Sequence, residues 1–297
     1  MAHHHEHHDH THAVDFNDGN RRAFVIGICL NLLFVLAEVA AGFFYNSMAL
    51  LTDAGHNLSD VAGLALSLLA FWMAKKGSNA VYTYGYKKTT VLAALINAVI
   101  LFMAIGILGY ESILRLLKPQ AVQGSAVAWV AALGIVVNSV SAFLFYKSQK
   151  ELNAKSAYLH LLTDAVVSLG VVLAGIVMSY TGWYWLDPAI GLVIMIVIFF
   201  STWSLLRDSF KMTIDAVPAG VELKKVKQII LKVPHVEGVS HVHVWPLSTT
   251  ENALTAHVVL NVDLDFDQRL VVVQNIKHEL LHHNIHHSTI ELGNNVQ

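Results

Sequence analysis

The sequence predicts a polytopic α-helical membrane protein in which six transmembrane helices precede a small cytosolic α/β domain. Its 297 residues are 55% hydrophobic and only 13% charged, a composition typical of integral membrane proteins. Six apolar runs are each long enough to cross a bilayer core of about 30 Å. The segment 207–297 instead alternates apolar and polar positions, as soluble helices and strands do.

The six predicted spans set the order of the membrane part. We predict transmembrane helices over 23–44, 48–74, 89–115, 124–146, 157–181 and 187–206. Polar residues within them, such as Glu38 and Asn97, are expected to face the bundle interior and to pack or hydrogen-bond there rather than bind metal. Asp53 is open to two interpretations, a cap at the start of the second helix or a guard at the outer mouth.

Basic residues beside the spans predict the orientation, because lysine and arginine concentrate in cytoplasmic loops. Eleven lie on one side: Arg21, Arg22, Lys75, Lys76, Lys87, Lys88, Lys147, Lys150, Lys155, Arg207 and Lys211. Only Arg115 and Lys118 flank spans on the other side. Both termini are therefore expected in the cytosol. The short loop before the fifth span favours a bacterial inner membrane, with a eukaryotic organelle left open.

The two ends of the chain differ in character. Residues 1–20 carry seven histidines among acidic residues, and we expect a disordered cytosolic tail that binds metal weakly. Residues 21–206 form the membrane domain. Residues 207–297 are predicted as a ferredoxin-like αββαβ domain with helices at 221–232 and 267–282 and strands at 239–245, 253–262 and 288–292. A net charge of −2 gives no indication of a nucleic-acid partner.

One motif occurs twice within the spans. The pattern His-x-Leu-(Ser or Thr)-Asp stands at 56–60 in the second span and at 160–164 in the fifth. Residues four apart share a helix face, so each copy directs one imidazole and one carboxylate the same way. His56, Asp60, His160 and Asp164 would together supply the two nitrogens and two oxygens that suit tetrahedral zinc. The alternative is a pair of buried polar contacts that hold the helices together.

The chain resembles the cation diffusion facilitator family of zinc transporters. The resemblance is carried by residues 47–60 and 157–164, which contain the paired motif, by Tyr84-Gly85-Tyr86, and by His-Val-His-Val-Trp at 241–245. It implies a homodimeric antiporter in the lipid bilayer that exports cytosolic Zn²⁺ in exchange for protons through His56, Asp60, His160 and Asp164. It also implies a metallochaperone-like cytosolic domain that binds further zinc.

The residue types suggest how exchange would occur. A free imidazole titrates near pH 6.5, so protons and zinc compete for His56 and His160. Two ionised aspartates would balance the zinc charge, which lowers the cost of moving a dication through the membrane. Cd²⁺, Co²⁺ and Ni²⁺ fit a similar ligand set.

Other functions are weighed beside transport. A membrane-bound zinc sensor without transport would use the same ligands, whereas a channel fits poorly because a tight site releases ions slowly. The stretch 278–282 fits the His-Glu-x-x-His pattern of zinc proteases, but both histidines are expected on a solvent face, and we predict no enzymatic activity and no cofactor. A regulatory zinc site in the cytosolic domain would draw on some of five histidines: His241, His243, His257, His282 and His287.

Overall fold

The computed structural model describes residues 18–146 and 152–293, with side chains described for 29–143 and 158–293. The histidine-rich tail predicted at 1–20 therefore lies almost wholly outside the described residues. The chain divides into two compact units, Met1–Leu58 with Tyr110–Ile194 and Ser59–Gly109 with Met195–Gln297. Three of the long helices each run through both units.

The predicted fold class is confirmed by the long helices. They are α1 (Asp18–Phe44), α2 (Met48–Ala74), α3 (Thr89–Leu117), α4 (Gly124–Tyr146), α5 (Leu152–Thr181) and α6 (Leu186–Thr213). Within the described residues, the five from α2 to α6 are long and apolar enough to cross a membrane, and α1 contributes a shorter apolar segment, Cys29–Phe44. Helix α6 continues past the predicted end at 206 as far as Thr213.

Glycine sets the contact between α4 and α5 in the first unit. A Cβ added to Gly124 would lie 2.5 Å from the Gly175 carbonyl oxygen, and one added to Gly175 would lie 2.7 Å from the Gly124 carbonyl oxygen. Only glycine permits this approach, so the two backbones touch as small residues allow in membrane helices. Large apolar side chains such as Leu133 and Leu173 remain exposed, consistent with surfaces that face lipid.

A buried carboxylate fixes the start of α2. Asn46 has a positive φ of 59°, and the Ser47 hydroxyl accepts a hydrogen bond from the Leu50 N–H at 3.2 Å. Asp187 at the start of α6 is fully buried and accepts from the Ser47 hydroxyl and from the Met48 and Ala49 N–H groups. These N–H groups have no partner within their own helix, so the carboxylate acts as a cap. The prediction missed this contact.

The predicted αββαβ order of the C-terminal domain is also confirmed. It comprises α7 (Leu223–Leu231), β1 (Val236–Pro246), β2 (Asn252–Leu260), α8 (Phe266–Leu281) and β3 (Ile285–Gly293). The sheet order is β1-β2-β3, with β1 antiparallel to β2 and β2 parallel to β3. One core joins both helices to the three strands and includes Ile230, Leu254, Ile276 and Ile285. Asp265 caps α8 through a reciprocal capping box with Gln268.

Strand β1 contains a register shift between Ser240 and His243, and His241 has a positive φ of 48°. Such a bulge interrupts regular alternation. His241 and His243 are nonetheless both exposed, whereas Val242 packs against the core and Val244 belongs to it. On α8 the buried positions are Val272, Ile276 and Leu280.

Candidate metal centre

Helix α2 carries a polar stripe on an otherwise apolar helix. Asp53, His56, Asn57 and Asp60 follow one another at helical spacing and so share a face. Asp53 and Asn57 are buried, and His56 and Asp60 are half-buried. Apolar residues on other faces, such as Leu64 and Leu68, are exposed. The helix therefore turns its polar face inward and its apolar faces outward, the reverse of a helix in a soluble protein.

Helix α5 carries the second stripe, formed by His160, Asp164 and Ser168. The Nε2 atom of His160 lies 3.5 Å from Oδ2 of Asp164. Asp164 and Ser168 are buried, with 3% and 0% of their surface exposed. The four-residue spacing of the motif thus places imidazole and carboxylate side by side, as the sequence predicts.

The two stripes meet at the histidines. The His56 and His160 ring centroids lie 5.7 Å apart with their planes at 80°. Asp60 follows His56 by one turn of the same unbroken helix, and one ligand atom each from His56, Asp60 and His160 lie within 4.8 Å of one another. Ligand atoms around tetrahedral zinc stand about 3.3 Å apart, given bonds of about 2.0 Å. Small rotations of these side chains would therefore suffice to close around an ion.

Asp164 is placed differently from the other three. It contacts His160 but stands outside the trio that lies within 4.8 Å, and it is the most buried of the four. Its carboxylate charge acts on Asp53 and on Glu38 of α1. The four predicted ligands thus occupy one neighbourhood, and Asp164 also belongs to a group of buried carboxylates.

Of the further carboxylates, Glu38 was not predicted as part of the site, and Asp53 was predicted there only in one of its two interpretations, as a guard at the outer mouth. Glu38 is 0% and Asp53 is 2% exposed, and Asp53 accepts a hydrogen bond from the Ser168 hydroxyl at 3.4 Å. Asp53 lies well inside α2, so its interpretation as a helix cap was wrong; Ser47 and Asp187 have that role. The signal available from sequence was its spacing of three from His56 and four from Asn57.

The five cytosolic histidines do not gather into one cluster. His241 and His257 have ring centroids 4.8 Å apart, and His257 Nε2 lies 3.3 Å from Glu291 Oε2. His243 is exposed and pairs with Thr255 in the sheet register. His282 packs against His278 at 5.0 Å, and His287 against Tyr84 at 5.2 Å. Across the described part of the chain, only His56, Asp60 and His160 meet the 4.8 Å criterion for three ligand atoms.

The protease-like stretch lies on an exposed face of α8. His278 and His282 are both exposed on α8, as predicted from the helical spacing. In the described residues no third ligand joins them within 4.8 Å. The pattern therefore marks a solvated helix face.

Comparison with known proteins matches both parts of the chain to one family. Residues 24–212 match the cation efflux transmembrane domain, and residues 218–292 match the cation efflux protein cytoplasmic domain. The metal cation efflux system protein CzcD of Cupriavidus metallidurans is 38% identical over 250 residues, which cover 84% of this chain and 79% of CzcD. The zinc transporter ZitB of Escherichia coli is 32% identical over 296 residues, covering 98% of this chain and 92% of ZitB.

A third relative is named for antiport of metal ions with H⁺ and K⁺. The cadmium, cobalt and zinc/H⁺–K⁺ antiporter of Bacillus velezensis is 31% identical over 288 residues, which cover 96% of this chain and 91% of the relative. The family is one of membrane transporters for metal cations. With both domains matched and multiple apolar helices present, the chain belongs to the cation efflux, or cation diffusion facilitator, family.

Proposed function

We propose that this protein is a zinc/proton antiporter that exports Zn²⁺ from the cytosol through His56, Asp60, His160 and Asp164. The observation that carries the proposal is the meeting of two His/Asp pairs, one on α2 and one on α5, with their imidazole rings 5.7 Å apart. Ionisable side chains within membrane spans are costly and are explained best by an ion pathway. Two relatives are named for zinc transport and for H⁺–K⁺ antiport, and these names support the substrate and the coupling.

The ligand chemistry gives the exchange its direction. Zinc binds neutral imidazole, so a site that faces the near-neutral cytosol loads zinc, and a site that faces a more acidic compartment releases it as the rings gain protons. With two ionised aspartates and two neutral histidines, the loaded site has a net charge near zero. Cd²⁺, Co²⁺ and Ni²⁺ would enter the same site.

The arrangement of the chain follows from the same proposal. We place residues 21–206 in the membrane, residues 207–297 in the cytosol as a metallochaperone-like domain, and residues 1–20 as a cytosolic tail. Both termini face the cytosol, by the asymmetry of basic residues. Bacterial relatives favour the inner membrane. The match to the family's cytoplasmic domain at 218–292 supports a homodimer.

A regulatory zinc site in the cytosolic domain is a secondary proposal. The contact of His241 with His257, and of His257 with Glu291, supports a site centred on this part of the sheet. His243, His282 and His287 would join only after rearrangement, because their observed neighbours lie elsewhere in the domain. Zinc bound here would adjust transport rather than carry it out.

Zinc uptake into proteoliposomes tests the main proposal. The purified full-length chain is reconstituted with an acidic lumen, and initial uptake is compared between wild type, Asp164→Ala and Asp208→Asn. Asp208 is a matched control because it is a half-exposed aspartate of α6. We expect proton-driven uptake in the wild type and the control and none in Asp164→Ala. Zinc binding without flux in the wild type would favour a membrane-bound zinc sensor.

A further inference from the structure

Two buried carboxylates, one buried amide and one buried hydroxyl beside the metal centre form a second group, here called the oxygen cluster: Glu38, Asp53, Asn57 and Ser168. They come from α1, α2 and α5, and each is at most 2% exposed. The Glu38 carboxylate lies beside the Asp53 carboxylate and the Asn57 amide. The Ser168 hydroxyl donates a hydrogen bond to Asp53. All the atoms that can bind a cation here are oxygens, in contrast to the imidazoles of the metal centre.

Two members of the oxygen cluster are unsatisfied. Neither carboxylate oxygen of Glu38 has a hydrogen-bond partner within the described residues, and neither the oxygen nor the nitrogen of the Asn57 amide has one. An unpaired buried charge is strongly destabilising even after relaxation. Buried polar groups in native proteins are nearly always paired, so these orphaned oxygens indicate a ligand that completes them.

The surrounding helices supply no positive charge. Residues 29–44 of α1, all of α2 and α4, and residues 158–181 of α5 contain neither lysine nor arginine. The ionisable groups that act on Glu38 are Asp53 from α2 and Asp164 from α5, both negative when ionised; α4 has no ionisable residue between 124 and 143. Within the described parts of these helices, the nearest groups that could carry positive charge are His56 and His160 of the metal centre, which the proposed function keeps neutral when zinc is bound.

The oxygen cluster is linked to the metal centre through both helices. On α2, Asp53 and Asn57 lie on the same face as His56 and Asp60. On α5, Ser168 stands one turn beyond Asp164. The charge of Asp164 acts on both Glu38 and Asp53. A cation bound in the oxygen cluster would therefore change the electrostatic potential at Asp164.

We propose that the oxygen cluster binds a further counter-transported cation, in addition to the protons that the histidine rings take up, and that this cation delivers one positive charge to Glu38 and Asp53 as a proton or an alkali metal ion. This inference rests on the proposed antiport. The cation binds to carboxylate oxygen and no covalent bond of the protein breaks. Hard cations of this kind prefer oxygen ligands, whereas zinc is held by the imidazoles.

Charge couples the two sites. A cation in the oxygen cluster reduces the negative potential at Asp164 and so weakens its hold on zinc, and zinc at the metal centre disfavours the second cation in the same way. The low dielectric of the membrane interior strengthens this exclusion. The two ions therefore occupy the pathway in turn, which is what an exchange requires.

The test separates exchange of zinc from its coupling to a second cation. Full-length wild type, Glu38→Gln and Asp53→Asn are reconstituted, with Asp208→Asn as the control. Exchange of radioactive zinc at equal zinc on both sides reports the metal centre and the fold. Net zinc uptake is then driven by an acidic lumen or, in a parallel experiment, by a lumen loaded with potassium.

We expect both cluster variants to keep zinc exchange and to lose gradient-driven uptake, while the control keeps both. The gradient that drives the wild type identifies the cation as a proton or an alkali ion. Driven uptake at the wild-type rate in both variants would overturn this inference alone, as would loss of zinc exchange together with uptake. Zinc exchange in the wild type without driven uptake under either gradient would overturn the proposed antiport and this inference with it.

Discussion

The histidines within the membrane spans and those of the cytosolic domain have the same chemistry in contrasting surroundings. His56 and His160 stand on apolar helices, one turn from an aspartate each, and contact each other. His278 and His282 also stand one turn apart and contact each other, but on an exposed helix face. Spacing alone does not distinguish the two pairs. The cost of placing an ionisable group in the membrane does, because such a placement favours a functional role by default.

Carboxylates show the same contrast within the first unit. Asp187 is buried but receives hydrogen bonds from one hydroxyl and two N–H groups of the α2 terminus. Glu38 is equally buried and has no such donors among the described residues. We expect a buried carboxylate with donors to stabilise the fold and one without donors to bind a cation. The predictions below test this distinction, from the largest expected effect to the smallest.

Loss of an intramembrane histidine should have the largest effect. His160→Ala removes one of the proposed zinc ligands, and we expect zinc affinity to fall by more than the roughly 10- to 100-fold that loss of an outer-shell partner costs. Equilibrium zinc binding to the purified chain measures it, with His278→Ala as the matched control. Equal affinities in the two variants would remove the distinction between membrane and surface histidines.

Loss of the structural carboxylate should affect stability instead of zinc binding. Asp187→Asn weakens charge-assisted hydrogen bonds at the start of α2, and we expect a stability loss of about 1.5–3 kcal/mol. Thermal unfolding in detergent, followed beside zinc affinity, measures both quantities. An unchanged unfolding temperature together with lost zinc binding would assign Asp187 to the pathway rather than to the helix terminus.

A change of ligand type should alter selectivity without abolishing transport. His56→Asp gives the site three carboxylates and one imidazole, a set that suits harder ions such as Mn²⁺ and relaxes discrimination against Cd²⁺. Competition of Cd²⁺ and Mn²⁺ with zinc uptake in proteoliposomes measures the change. An unchanged preference for zinc over cadmium would show that His56 does not set the selectivity.

The cytosolic pair should give the smallest effect. His257→Ala removes the residue that contacts both His241 and Glu291, and we expect fewer bound zinc ions per chain with transport retained. Stability should change by no more than about 0.5 kcal/mol, as for most surface substitutions. The zinc content of purified protein and its uptake rate are compared with those of His243→Ala, whose side chain is exposed. Complete loss of uptake in His257→Ala would place an essential site in this domain.

Local patterns predicted most of the fold and the pairing of the four ligands. Long apolar runs determine where α2 and α4 begin and end, and four-residue spacing places His160 beside Asp164. Contacts between residues distant in sequence were not predictable in this way. The reach of Asp187 to Ser47, the close approach of Gly124 to Gly175 and the orientation of Glu38 toward Asp53 depend on how helices pack. The bulge at His241 likewise depends on how β1 pairs with β2. The alternation of apolar and polar residues within β1 does not predict that register.

X-ray absorption at the zinc edge tests the central claim most directly. The full-length chain is measured with one zinc per chain, beside the His56→Ala/His160→Ala double variant. We expect four-coordinate zinc with nitrogen and oxygen ligands at about 2.0 Å, about two of them imidazole, and loss of this spectrum in the double variant. A six-coordinate oxygen shell, or an imidazole-rich shell that persists unchanged in the double variant, would contradict zinc binding by the paired membrane motif.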